Sequence, residues 1–173
     1  MIDGIRVTDE IAVIRHDGDR FASPLHRHAR AQLLYAMAGV ISVTTDSGTW
    51  VVPPSRAVWL PPDTDHVTTS HAGIRFRSLL IDTTGFDGVP DRCRVVAVTP
   101  LLRELILKLA ALTETQGDRE VSEAVICLLM LELAFLPVQP LDLPAPTQAG
   151  LADLCDRIRR DPARAHSIAA AAA

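Results

Sequence analysis

Residues 23 to 32 read SPLHRHARAQ. His26 and His28 stand two places apart, and Gln32 follows four places later. A further imidazole, His66, closes the stretch WLPPDTDH. Neutral imidazole is the commonest metal ligand, and three of them with one oxygen donor suit a divalent transition metal such as zinc, nickel or iron. Even separations put side chains on one face of a strand. A straight strand, however, would set residues 26 and 32 roughly 20 Å apart at about 3.3 Å per residue. One ion reaches both only if the chain bends at Ala29-Arg30-Ala31. The bland alternative is a set of polar residues on a wet surface, and spacing alone leaves both readings open. His16, His71 and His166 have no comparable spacing and read as ordinary surface residues.

The chain must supply elements that hold such a cluster. It has 173 residues, of which 48% are hydrophobic and 22% charged. That predicts a packed core in one domain, with room for the start of a second. The net charge of −4 argues against nucleic-acid binding by this chain on its own. Cys93, Cys127 and Cys155 are odd in number and far apart, which predicts reduced, buried thiols in a cytoplasmic protein. The start, MIDGIRVTDE, lacks the charged and apolar regions of a signal peptide. The longest apolar run, Ala124 to Leu131, is too short to span a bilayer, so no membrane association is expected.

Six short stretches in the first hundred residues are rich in β-branched and aromatic residues: IAVIRH, QLLYA, VISVTT, TWVV, AVWL and IRFRSLLI. Clusters of Gly, Pro, Asp and Ser separate them. Short strands with turn signals between predict an all-β sandwich or barrel. Asp46-Ser47-Gly48 in VISVTTDSGTWVV is the best hairpin signal.

The pattern changes at Thr99, which can cap a helix with Pro100 in its first turn. Leu101, Leu105, Leu109 and Leu112 recur at helical spacing and Leu102 and Ile106 widen the stripe, predicting a helix over Pro100 to Thr113. Asp118 can cap a second helix, Arg119 to Leu136. Its length from Val125 is apolar almost all round, so it must be covered on two sides. The barrel can cover one side and a second copy of the chain the other. Leu105, Leu109, Leu129 and Leu133 are the expected dimerisation residues. LPVQPLDLPAPTQAG reads as a semi-rigid linker, after which Leu151 to Arg160 resumes helical spacing.

Trp50 and Trp59 lie in strand-like segments beside proline turns, and Arg77 alternates with Phe76. These three could line a ligand pocket, an arginine inside a barrel suiting a carboxylate effector. Core packing for the tryptophans and a solvated face for the arginine are the plainer readings. Tyr35 is expected to face opposite to Gln32.

HRHARAQLLYAMAG resembles the first motif of the cupins. His26, His28 and Gly39 fall on its pattern, and Gln32 stands where that family has glutamate. PPDTDH resembles the second motif, with His66 in the ligand place and Asp63 where glycine is usual. The stretch from His28 to His66, followed by VTPLLRELIL and an apolar helix, looks like the effector-binding half of AraC-type transcription regulators. The resemblance implies an all-β cupin barrel (a double-stranded β-helix, or jelly roll) followed by two or three α-helices. It implies a cupin sensor over residues 1–98, a helical dimerisation element over 99–137 and a proline-rich linker over 138–150. Residues 151–173 would open a helix-turn-helix DNA-binding domain whose remainder is missing.

On this resemblance the chain senses a small molecule or a metal for a regulator that binds promoter DNA through that missing part. It would act as a homodimer in the cytoplasm, without catalysis. The metal set would be His26, His28, Gln32 and His66. A neutral glutamine in place of glutamate leaves the charge of a bound ion uncompensated, which favours an anionic ligand at its open positions. The runner-up is a metal-dependent cupin enzyme, a dioxygenase or isomerase. A third class is a dimeric interaction module without a ligand.

Overall fold

A computed structural model describes residues 6–7, 11–115, 118–135 and 148–161. The proline-rich stretch up to residue 147, His166 and the terminal alanines lie outside them. Ten strands precede three helices: β1 Arg6–Val7, β2 Ile11–Gly18, β3 Phe21–Ala22, β4 Ala31–Ala38, β5 Ile41–Thr45, β6 Gly48–Val52, β7 Arg56–Leu60, β8 His66–Ser70, β9 Ile74–Ile81 and β10 Arg94–Ala97. The helices are α1 Pro100–Thr115, α2 Arg119–Phe135 and α3 Ala149–Arg160.

The strands form two antiparallel sheets. One has the order β1-β2-β9-β4-β7-β10 and the other β3-β8-β5-β6. Two antiparallel sheets in this order form the expected jelly-roll barrel. Side-chain alternation sends two different apolar sets to the two faces of the larger sheet. Leu34 and Ala36 of β4, Val58 and Leu60 of β7, and Ile74 and Phe76 of β9 face inward. They meet Ile41, Val43, Trp50 and Val52 of the smaller sheet. Ala31, Leu33 and Tyr35 of β4, Ala57 and Trp59 of β7, and Leu79 and Ile81 of β9 face the other way. That outer face packs against Leu102, Leu105, Ile106 and Leu109 of α1 and Ile126, Leu129, Met130 and Leu133 of α2.

The turn chemistry follows the sequence. Asp46 and Ser47 form the two-residue turn of the β5–β6 hairpin, where Thr45 pairs with Gly48 at φ 144°. Between β4 and β5, Gly39 has φ 82°, and a Cβ there would meet the Gly73 carbonyl oxygen at 2.4 Å. Only glycine fits. The Thr99 hydroxyl accepts the Leu102 amide at 3.0 Å and donates to the Glu132 carboxylate of α2 at 2.6 Å. It thus caps α1 and ties the two helices together. The Asp118 carboxylate accepts the Glu120 amide at 2.9 Å and caps α2.

Some expectations are corrected. Leu101 is exposed and drops out of the α1 stripe, which Leu102, Leu105, Ile106 and Leu109 carry. Leu105, Leu109, Leu129 and Leu133 are 7%, 0%, 0% and 2% exposed in the core against the barrel. They are not free to contact a second copy. Among the described residues, the exposed large apolar side chains of α2 are Val121, Leu128 and Leu131. The cysteines form no disulfide, but Cys127 is exposed and Cys93 and Cys155 are half-buried. Among the described residues, no helix is long and apolar enough to cross a membrane.

Candidate functional site

His26 sits on an isolated bridge to His66, the first residue of β8. Each backbone amide donates to the other's carbonyl, at 3.1 and 2.9 Å. Residues 29 and 30 are bends, so the turn that the spacing requires lies just before β4 begins. The Pro61–Asp65 segment closes over this end of the barrel. The Asp63 amide donates to the His28 carbonyl at 2.7 Å, and Asp63 adopts φ 58°. Aspartate tolerates that left-handed conformation better than most residues, which explains how it stands in a glycine place.

These backbone contacts bring three rings together. The His26 and His66 ring centroids are 4.3 Å apart, His26 and His28 4.8 Å, and His28 and His66 5.5 Å. One ring nitrogen from each lies within 4.8 Å of the others. Nitrogens on one tetrahedral ion at about 2.0–2.1 Å stand about 3.4 Å apart, so ring rotations of about 1 Å close the set. The His26 Nδ1 meets the Pro24 carbonyl at 2.8 Å and the His66 Nδ1 meets the Thr64 carbonyl at 2.9 Å. A carbonyl only accepts, so each neutral ring carries its proton on Nδ1 and keeps the Nε2 lone pair free. The Nε2 atoms of His28 and His66 are buried without a hydrogen-bond partner. His66 combines both features, a buried unpartnered Nε2 on a ring fixed from behind, and with His28 and His26 beside it the cluster fits a divalent ion.

The electrostatics agree. Burial lowers the His28 pKa to about 4, helped by repulsion from His26 and His66. Burial also lowers that of His66, against the opposing effects of the Thr64 carbonyl and the Asp65 charge. Metal ligation needs neutral imidazole, and these two rings are held in that form.

Gln32 faces into the barrel. It pairs with Leu60 on one side and Leu80 on the other, and Leu60 leads directly into the segment that delivers His66. Gln32 therefore lies at the histidine end. It is 4% exposed, and its Nε2 donates to the Ser78 hydroxyl at 2.7 Å. Its Oε1 is buried without a partner. Nothing in the sequence signalled Ser78, because its partner is 46 residues away.

The pocket trio is not brought together. Trp50 faces the barrel interior. Trp59 packs on the opposite face beneath the helices, where its indole donates to the Pro90 carbonyl at 3.0 Å. Arg77 shares the parity of Leu79 on that outer face and pairs with Asp17 at 2.9 Å. Alternation gives relative facing only, and the assignment of inside and outside was the missing fact. Tyr35 does face opposite to Gln32. His16 is not an ordinary surface residue. Its ring stacks on Phe76 at 5.5 Å and tilts on Phe21 at 5.0 Å, with Nε2 buried. Phe86 lies between two small cavities of about 180 and 210 Å³, where the β9–β10 loop meets α2.

A cupin barrel with an imidazole cluster at one end and two helices on its outer sheet is the frame of a ligand-binding domain. Residues 10–134 match the family model of the AraC-like ligand-binding domain, and the chain belongs to that family. It is 33% identical over 153 residues to the HTH-type transcriptional regulator NimR of Escherichia coli. That alignment covers 88% of this chain and 56% of NimR, so the chain spans little more than half of its relative. Crystalline ToxT from Vibrio cholerae shares the fold, with a TM-score of 0.52 and 10% identity over 95% of this chain and 69% of ToxT. A cupin superfamily protein from Desulfitobacterium hafniense aligns with a TM-score of 0.40 and 15% identity, covering 47% of this chain and 75% of that one.

Proposed function

We propose that this chain is the effector-sensing and dimer-forming part of an AraC-type transcription regulator, and that it senses at His26, His28 and His66. The observation that carries this reading is the cluster itself: three imidazoles converge, and two of them present buried, unpartnered nitrogens. Zinc, nickel or iron would be held by these rings with Gln32 as a fourth donor, and would supply an open coordination position for a ligand. The chain's own residues fix the rings, exclude water from one side and keep His28 and His66 unprotonated.

Dimerisation would use the exposed stripe Val121, Leu128 and Leu131 on α2, a face the barrel leaves uncovered. Ligand binding would act on DNA only if it favours one of two dimer geometries. Promoter binding belongs to the part of the regulator beyond this chain, as the relative's name supports. The sensor would end at residue 98, the dimerising helices at 137 and the linker at 150.

The test has two arms. Elemental analysis of untagged protein, as purified and after soaking with zinc, nickel and iron, should find one ion per chain, and His66→Ala should abolish it. In a gel shift on the promoter upstream of the gene, the full-length product should bind and this chain should not. Failure of the full-length protein to bind any DNA, with turnover by the iron-loaded form, would replace the regulator with a cupin enzyme. An open position on a three-histidine ion is the feature that keeps that second reading in play.

A further inference from the structure

Gln32 and Ser78 form a buried side-chain pair in the barrel interior. Ser78 is 1% exposed and Gln32 4% exposed. The amide nitrogen is committed to the Ser78 hydroxyl at 2.7 Å. With the amide nitrogen taken up by Ser78, the other amide atom faces the remaining space. That atom is Oε1, a buried acceptor with no donor. An unpartnered buried carbonyl oxygen is costly unless something electropositive meets it.

The donor set around the cluster is then neutral throughout: three imidazoles and one amide. Asp65, whose charge reaches His66, is exposed and lies outside the ring of nitrogens. The walls flanking Gln32 are Leu60 and Leu80, 1% and 8% exposed. A cation held by neutral donors beside apolar walls keeps its full charge in a poorly polarisable site, which favours an anion at its open position. The leucine walls favour an anion with a short apolar body over a fully hydrated one.

Resting on the metal reading above, we propose that Ser78 positions the Gln32 carbonyl oxygen toward the three imidazoles, and that the resulting uncompensated cation binds a short-chain monocarboxylate as the sensed ligand. Ser78 is a positioning residue, and Gln32 sets the charge of the site.

Cobalt(II) reports both claims through its visible absorption. Wild type, Ser78→Ala, Ser78→Thr and Gln32→Glu are titrated with cobalt, then the loaded forms with butyrate and, separately, inorganic phosphate. Loss of an outer-shell partner typically weakens metal binding 10–100-fold, and Ser78→Ala should fall in that range, with Ser78→Thr close to wild type. Butyrate should shift the bands of loaded wild type, phosphate should do so more weakly, and Gln32→Glu should bind cobalt more tightly while losing at least tenfold in butyrate affinity. Circular dichroism checks folding, and if Ser78→Ala does not fold, the Gln32→Glu arm still decides the charge claim. Unchanged cobalt affinity and spectrum in Ser78→Ala, or an undiminished butyrate response in Gln32→Glu, would overturn the proposal. Phosphate binding better than butyrate would refute the monocarboxylate assignment. If wild type takes up none of cobalt, zinc or nickel, the metal reading itself has failed and this inference with it.

Discussion

Zinc should raise the thermal stability of the domain, and His66→Ala should remove the increase. His26 and His66 are locked by a backbone bridge, so the native fold holds the site nearly assembled, whereas the unfolded chain scatters its three rings. A ligand that binds only the native state stabilises by RT ln(1 + [L]/Kd), which is about 2.7 kcal/mol at a concentration 100 times Kd. The matched family region covers residues 10–134, and for a domain of that size 1 kcal/mol moves Tm by about 4 °C. The expected shift is therefore about 10 °C. His66 is 1% exposed, so its truncation leaves a cavity and costs stability without metal. The decisive quantity is the zinc-induced shift within each variant. Differential scanning fluorimetry with zinc, and with EDTA as the reference, reads it directly. A shift of the same size in His66→Ala would place zinc elsewhere on the protein and refute the three-imidazole site.

The metal-free protein should lose stability on acidification. The His28 pKa is depressed to about 4 in the fold, so its contribution is fully present above the unfolded value near 6.5 and is lost as pH falls from there toward 4. Because the ring is half-buried and screened by solvent, unfolding free energies from urea titrations at pH 7 and 5 should differ by about 1 kcal/mol more in wild type than in His28→Asn; equal losses would exclude His28 as the cause. Leu128→Asp should convert a dimer into a folded monomer in sedimentation, whereas Leu129→Asp, at a fully buried position, should unfold the chain. A wild type that sediments as a monomer at high concentration would sink the dimer proposal. Gly39→Ala should destabilise by more than about 1 kcal/mol, because φ is 82° and the added methyl would strike the Gly73 carbonyl. An unchanged denaturation midpoint would contradict that geometry.

Local signals determined a good deal on their own. Turn residues and β-branched runs marked the larger strands and the β5–β6 hairpin, because these depend on chain-neighbour sterics. Two caps, Thr99 and Asp118, located both helix starts, since a cap acts within a few residues. The histidine spacing even required the bend at Ala29 and Arg30. Tertiary structure decided what alternation and periodicity leave free. Period two separates Gln32 from Tyr35 and Phe76 from Arg77, but not which face is inside, so Trp59 came to lie beneath the helices and Arg77 on that same outer face beside Asp17, while Trp50 stayed within. Period 3.6 aligns Leu129 with Leu133, but the barrel, not a second copy, claimed that stripe and left Leu128 and Leu131 outside. The short edge strands β1, β3 and β10 carry too few residues to show a pattern and exist through their pairing partners. Ser78 reaches Gln32 only because β9 lies beside β4, and that pairing of distant strands is set by burying both faces of one sheet at once.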